Sequence, residues 1–313
     1  MTVPCYPDFV PLEIDLKESL HPRLSLTADG VSEFTFCGLY LFRNRYKYRI
    51  SRFGGGASKE AGGFIISGHS ADDSGKTFFM TPCEAPDWEI LENLFKTHNY
   101  WKNVSESVLT PVREKLQKKG MLFEEDRDNF DYLYYRNDLA ELSGKKYHKK
   151  KNHVNNFLHT YPDHEARQLN SETISDAYKV LEKWRHDKTA AAEPDAPAKT
   201  SEDNEYAAAK EALDLFTSLP MRGAVYYIEK KPAAYCIGES IARGRMFAIH
   251  FEKGIDKEYR GIYQFINQAF AASLPRFFTY INREQDLGNE GLRQAKMTYR
   301  PCGFVQKYTG RFL

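Results

Sequence analysis

Two periodicities alternate along the second half of the chain, and that alternation limits the folds open to it. Tyr206 to Leu219 carries apolar residues at helical spacing, and Gly223 to Glu229 and Pro232 to Ser240 then read as strands. Phe247 to Glu252 is a further strand, Lys257 to Ala272 a helix, Phe277 to Ile281 a strand and Asn289 to Lys296 a short helix. Helix, paired strands, strand, helix, strand, helix is an α+β order, a mostly antiparallel mixed sheet flanked by helices.

The first half adds a second set of elements. Phe34 to Ile50 and Phe64 to Gly68 are aromatic or β-branched runs that read as strands, joined by the glycines at 54–56 and 62–63. A phosphate-cradling role for that glycine loop fails, because no Gly-Lys-Ser/Thr follows and the flanks suit a hairpin. Asp87 is placed to cap a helix bearing Ile90, Leu91, Leu94 and Phe95. Thr110-Pro111 opens another that Gly120 closes, Phe130 to Tyr135 reads as a strand, and Leu139 to Leu158 as helix. Asp187 to Asn204, rich in Ala and Pro with no apolar face, reads as a flexible insertion at about 187–204.

At about 150 residues per domain, 313 residues suggest two domains, here 1–165 and 166–313, the first ending in a lysine-rich helix. Forty-four basic against 43 acidic residues leave a net charge of +1, which excludes a histone-like or acidic-tail protein but not a local patch. No apolar run approaches the roughly 20 residues of a membrane span, and Asp8, Glu13, Asp15 and Glu18 at the start do not fit a signal peptide. The five cysteines are scattered and none are spaced as metal ligands, so they read as reduced thiols of a cytoplasmic protein without a metal site.

Three constellations carry chemistry. The densest runs from Gly144 to His153. On a helical wheel Lys145, Lys146, Lys149, Lys150 and His153 fall within about 140° of arc, while Tyr147, Val154 and Leu158 form an apolar stripe. Like charges so close repel, which suits either a polyanion site or a solvated lysine face. The second is Phe247 to Lys253. Strand alternation puts Phe247, Ile249 and Phe251 on one face and His250 with Glu252 on the other, a pair suited to deprotonating an amine or to a satisfied buried contact. Tyr259-Arg260-Gly261, just beyond, would open a helix toward phosphates, although the full acyl-CoA-binding pattern is absent. The third is Ile281 to Gly288, polar residues at a strand's carboxyl end, where Asp286 lines a pocket, caps the next helix, or does both.

Taken in order, these stretches resemble the phosphatidylglycerol lysyltransferase C-terminal family. The likeness rests on Gly144–His153, Ile249–Lys253, Tyr259–Asn267 and Ile281–Gly288 and runs from about Phe34 to Tyr308. The resemblance implies two tandem N-acyltransferase-like (GNAT-like) folds and transfer of an acyl or aminoacyl group, in the best-known members from charged tRNA to a lipid head group. Those enzymes also carry a large membrane domain with no counterpart in this sequence, so the fold carries over more firmly than the acceptor or donor.

The expected catalytic residues are His250, Glu252, Glu284 and Asp286, with Asn267, Asn282, Arg293 and Lys296 binding substrate. Lys145, Lys146, Lys149, Lys150, His153, Lys253, Arg260 and Gly261 are the expected donor-phosphate set. The expected co-substrate is acyl-CoA or aminoacyl-tRNA, with no tightly bound cofactor, and the acceptor an amine or hydroxyl, including an anionic lipid or peptide. The alternative is a non-catalytic module of the same fold that binds nucleic acid or anionic membrane through the lysine-rich helix.

Overall fold

The computed structural model describes residues 2–54, 62–71, 74–190 and 201–312. Among them fourteen strands form two seven-stranded sheets. The strands are β1 (Val10–Pro11), β2 (Arg49–Phe53), β3 (Gly63–His69), β4 (Thr77–Met80), β5 (Tyr100–Ser105), β6 (Met121–Glu125) and β7 (Asp131–Tyr135). They continue with β8 (His164–Gln168), β9 (Met221–Ile228), β10 (Lys231–Ile241), β11 (Met246–Gly254), β12 (Tyr280–Asn282), β13 (Gly303–Val305) and β14 (Lys307–Phe312).

The first sheet runs β1-β2-β3-β4-β5-β14-β6 and the second β8-β9-β10-β11-β12-β7-β13. Position by position the two layouts are the same. Each sheet is antiparallel except at its fourth and fifth strands, β4 with β5 and β11 with β12, which run parallel. The expected repeat of one fold is therefore present, but the strands do not sort at residue 165. β7, from the first half, completes the second sheet, and β14, at the carboxyl end, sits inside the first.

Helices cover both faces of the second sheet. Ile174–Thr189 and Ser201–Asp214 lie on one side, in a core with Tyr235, Ile237 and Phe251. Ile262–Ser273 lies on the other, packing Ile262, Ile266 and Phe270 against Phe247 and Ile249. Each helix buries one apolar stripe, the usual reason an amphipathic segment docks on a sheet.

Several sequence expectations are revised. Phe34 to Ile50 is not a strand. Phe36–Leu41 and Arg43–Tyr46 are helical, and β2 begins at Arg49. Thr35 caps the first, its hydroxyl accepting from the Gly38 amide at 2.8 Å. That helix buries five of its six residues, so it has no polar face for periodicity to show. The expected 110–120 helix shortens to Arg113–Gln117, preceded by a separate turn of helix at Glu106–Leu109. Leu142 and Gly144, both at positive φ, break the 139–158 stretch into Arg136–Glu141, a single turn at Lys145–Tyr147, and His148–Thr160. Helices also occupy both ends of the expected 187–204 loop, and 191–200 lie outside the described residues.

Other expectations stand. Asp87 caps Trp88–Phe95, accepting from the Ile90 amide at 3.0 Å. β2 and β3 pair as a hairpin with Phe53 opposite Gly63, while 55–61 lie outside the described residues. No helix among the described residues is long and apolar enough to cross a membrane.

Candidate active site

β11 and β12 pair for three residues only, Met246–Ala248 against Tyr280–Asn282, and then part. Beyond the parting, β11 continues through His250 and Glu252 while the chain after β12 turns away through Arg283, Glu284 and Gln285. The turn is sharp because Glu284 adopts the left-handed region, φ 56°. Such a conformation is unfavourable for a residue with a Cβ. Asn282 holds it, its side-chain oxygen accepting from the Glu284 amide at 2.7 Å. Lys296 holds it from the other side, donating to the carbonyls of Arg283 at 2.7 Å, Glu284 at 3.1 Å and Gln285. Burial and the neighbouring Arg283 charge bring the Lys296 ammonium down to about 8.

On β11 the alternation that should place His250 beside Glu252 is broken. Phe251 lies opposite Ile237 and Ile249 opposite Gly238, so His250 is the additional residue of a bulge. The bulge separates the partners of the two residues. His250 joins Glu239 of β10, Nε2 to Oε1 at 2.9 Å, and Glu284, Nδ1 to Oε1 at 2.7 Å. The imidazole is almost wholly buried; burial opposes its charge, but the two carboxylates reverse this and push its pKa up to about 10. His250 is therefore an imidazolium at neutral pH and cannot serve there as the expected base. Of the three groups, Glu284 alone reaches solvent appreciably, its side chain 29% exposed against 1% for Glu239.

Glu252 instead pairs with Arg283. The amide oxygen of Asn267, from the Ile262–Ser273 helix, accepts from Arg283 Nε at 3.2 Å and Nη1 at 2.9 Å. The Arg283 guanidinium lies 5.3 Å from the centre of the Tyr299 ring, and the Lys150 ammonium lies 4.1 Å from the same ring. Burial and Arg283 lower the Lys150 pKa. Lys150 thereby brings the lysine-rich helix to the edge of the site.

The rest of the expected set divides. Asn282 and Asn267 are buried and hold neighbouring groups rather than line an open pocket. Asp286 is fully buried and accepts from Arg293 at 2.8 and 3.0 Å, Tyr132 at 2.6 Å, Arg127 at 3.3 Å and the Gly288 amide at 2.9 Å. Burial opposes its ionisation, but these donors hold its carboxyl well below the usual range. The cap of the following helix is Asn289, accepting from the Leu292 amide at 2.9 Å, so Asp286 does not cap it.

Lys145, Lys149 and His153 are exposed, Lys146 pairs with Asp138 at 2.8 Å, and Arg260 is exposed beside Gly261, which begins its helix at φ 92°. Lys253 lies elsewhere. It is buried against Trp184, 3.8 Å from the ring centre, and paired with Glu205, so it does not join the phosphate set. Sequence reasoning missed Glu239, Arg283 as a site residue, and Tyr299. Glu239 did leave a signal, a lone carboxylate closing the apolar run Ala233 to Ile237. Among the described residues no group of three or more His, Cys, Asp and Glu is placed to hold a metal ion.

The sequence profile of the family described as "Phosphatidylglycerol lysyltransferase, C-terminal" matches residues 25–310. The chain belongs to this family. A crystal structure of a conserved protein of unknown function from Bacteroides thetaiotaomicron is 27% identical, with a TM-score of 0.83 over 97% of this chain and 99% of that one. The structure of L-PGS from Bacillus licheniformis shares the fold at 13% identity and a TM-score of 0.51, over 79% of this chain and 81% of that one. An uncharacterized Mycoplasmoides gallisepticum protein is 26% identical over 180 residues, 57% of this chain, which spans about half (54%) of that protein's length. The architecture is a tandem repeat of one α+β sheet layout, and the family it belongs to is described as that of a lysyltransferase's C-terminal part.

Proposed function

We propose that this chain transfers an aminoacyl or acyl group from an activated donor, aminoacyl-tRNA or acyl-CoA, to an amine or hydroxyl acceptor, at the parting of β11 and β12. The observation that carries the reading is Glu284, a part-exposed carboxylate fixed at that parting by a buried imidazolium. An acceptor amine arrives as an ammonium and must lose a proton to attack an acyl carbon, and Glu284 is the carboxylate placed to take it. His250, clamped by Glu239, positions Glu284 rather than acting as the base. Glu252 and Arg283 form a paired wall beside it, with Asn267. Direct attack on a bound activated ester needs positioning and a base, and no covalent enzyme intermediate.

The lysine-rich helix supplies the donor side of the proposal. Lys145, Lys149 and Lys151 are exposed, and Lys150 carries their charge to Tyr299 and Arg283. That continuity favours a long polyanionic donor such as charged tRNA, whose phosphates meet the helix while the acyl end reaches Glu284. The test is transfer of labelled acyl groups from charged tRNA and from acyl-CoA to amine and hydroxyl acceptors. Glu284→Gln is expected to lower kcat about 100-fold or more with the circular dichroism spectrum unchanged. Failure of both donor classes to bind or react overturns the proposal. Salt-dependent tRNA binding with full retention in Glu284→Gln, and no transfer, marks a binding module instead.

A further inference from the structure

A chain of buried polar groups connects the reactive turn to the opposite sheet. Lys307, the first residue of β14, is fully buried in the first sheet, and its ammonium donates to Asp131 at 2.8 Å and to Glu33. Asp131 opens β7 of the second sheet and is also fully buried. Its Oδ2 accepts from the Ser32 amide at 2.9 Å and from Asn282 Nδ2 at 3.1 Å. The same Asn282 Nδ2 donates to the Gly30 carbonyl at 2.9 Å, which leaves Asn282 Oδ1 aimed at the Glu284 amide, 2.7 Å away. The path is Lys307 to Asp131 to Asn282 to the backbone of Glu284.

The other carboxylate of Lys307 serves the equivalent place in the first sheet. Glu33 accepts from the side chain of Asn103 at 3.0 Å, and Asn103 has a left-handed φ of 53°. Asn103 lies two residues after Trp101, where β5 stops pairing with β4. Glu284 likewise lies two residues after Asn282, where β12 stops pairing with β11. One buried ammonium thus anchors, through two carboxylates, the left-handed residue at the parting of each sheet. A buried carboxylate without its cation is costly to keep charged, so losing Lys307 weakens Asp131, one of the two acceptors that orient the Asn282 amide beside the Gly30 carbonyl.

We infer that Lys307 is a positioning residue for Glu284, acting through Asp131 and Asn282 across the boundary between the sheets. Its bearing on catalysis rests on the acyl-transfer reading above, whereas the positioning itself does not. The experiment follows the His250 imidazole by NMR titration in the full chain. Glu284→Gln sets the reference, removing the carboxylate that His250 meets at 2.7 Å. Lys307→Met and Asn282→Ala are expected to move the His250 midpoint down from about 10 toward that reference, by about one unit or more, a tenfold loss of proton affinity.

A merely structural role would leave the midpoint in place wherever the variant folds. If Lys307→Met does not fold, Asp131→Asn and Asn282→Ala carry the same test. A His250 midpoint unmoved in the folded variants while Glu284→Gln shifts it overturns the inference, and so does a midpoint that Glu284→Gln itself leaves unmoved. In the transfer assay Asn282→Ala is expected to lower kcat with KM retained. Absence of transfer in the wild type sinks the acyl-transfer reading alone, because the NMR midpoint still decides the positioning.

Discussion

The chemistry turns on which groups carry protons, and His250 gives the sign. Its folded-state pKa of about 10 lies above the ordinary 6.5. The stabilisation it gains from Glu239 and Glu284 is thus complete below about pH 6.5 and is lost as pH rises through about 10. Urea unfolding from pH 6 to 10.5 is expected to show stability falling across that window in the wild type. The fall should be absent from His250→Gln; equal slopes in the two proteins would mean the imidazole is not charged in the fold. Lys253 makes the opposite kind of prediction. Its ammonium is committed to Glu205 and the Trp184 ring, so Lys253→Met should leave donor affinity unchanged in calorimetric titration. The sequence did bring forward His250, Glu252, Glu284 and Asn267, which the fold gathers at the candidate site. Their partnerships were not legible, because alternation assumes a regular strand and the bulge at His250 is set by the facing strand.

That bulge is a property of paired elements, and a glycine makes room for it. A methyl group added to Gly238 would stand 2.0 Å from the Ala248 carbonyl oxygen and 2.5 Å from the Phe247 ring. The carbonyl belongs to the strand backbone and cannot swing aside. Gly238→Ala is therefore expected to cost about 1–3 kcal/mol or more in urea unfolding, as overpacking does. It should also shift the His250 titration, since β10 and β11 must separate where Glu239 meets the imidazole. Wild-type stability with an unshifted His250 would show that the bulge does not depend on close strand approach. The elements easiest to read were those with one dry face, such as Ile262–Ser273. Phe36–Leu41 was misread because it is buried nearly all round, and burial on every side erases the period that separates helix from strand.

At the scale of the molecule, a boundary near residue 165 and the strand exchange lead to different outcomes. The fold class was legible from element order and the repeat from the family resemblance, but no local pattern shows that β7 and β14 cross between sheets. A fragment of residues 1–165 lacks β14, which lies between β5 and β6, so both strands lose a partner inside the first sheet. A fragment of residues 166–313 lacks β7, which lies between β12 and β13, and the second sheet is interrupted beside the candidate site. The buried charges are divided as well, because Glu33 and Asp131 go to one fragment and Lys307 to the other. Separating members of a buried ionic group is costly, since each piece must bury an unpaired charge or open to water. Unpaired strand edges in a sheet interior also template association with other chains. Each fragment expressed alone should therefore lack a cooperative thermal transition and tend to aggregate, whereas the two expressed together should copurify as one folded complex. The readouts are amide dispersion by NMR and the width of the thermal transition. A dispersed spectrum and a single sharp transition from either fragment alone would show that its sheet closes without the exchanged strand, and that the buried group Lys307, Glu33 and Asp131 is dispensable to that half.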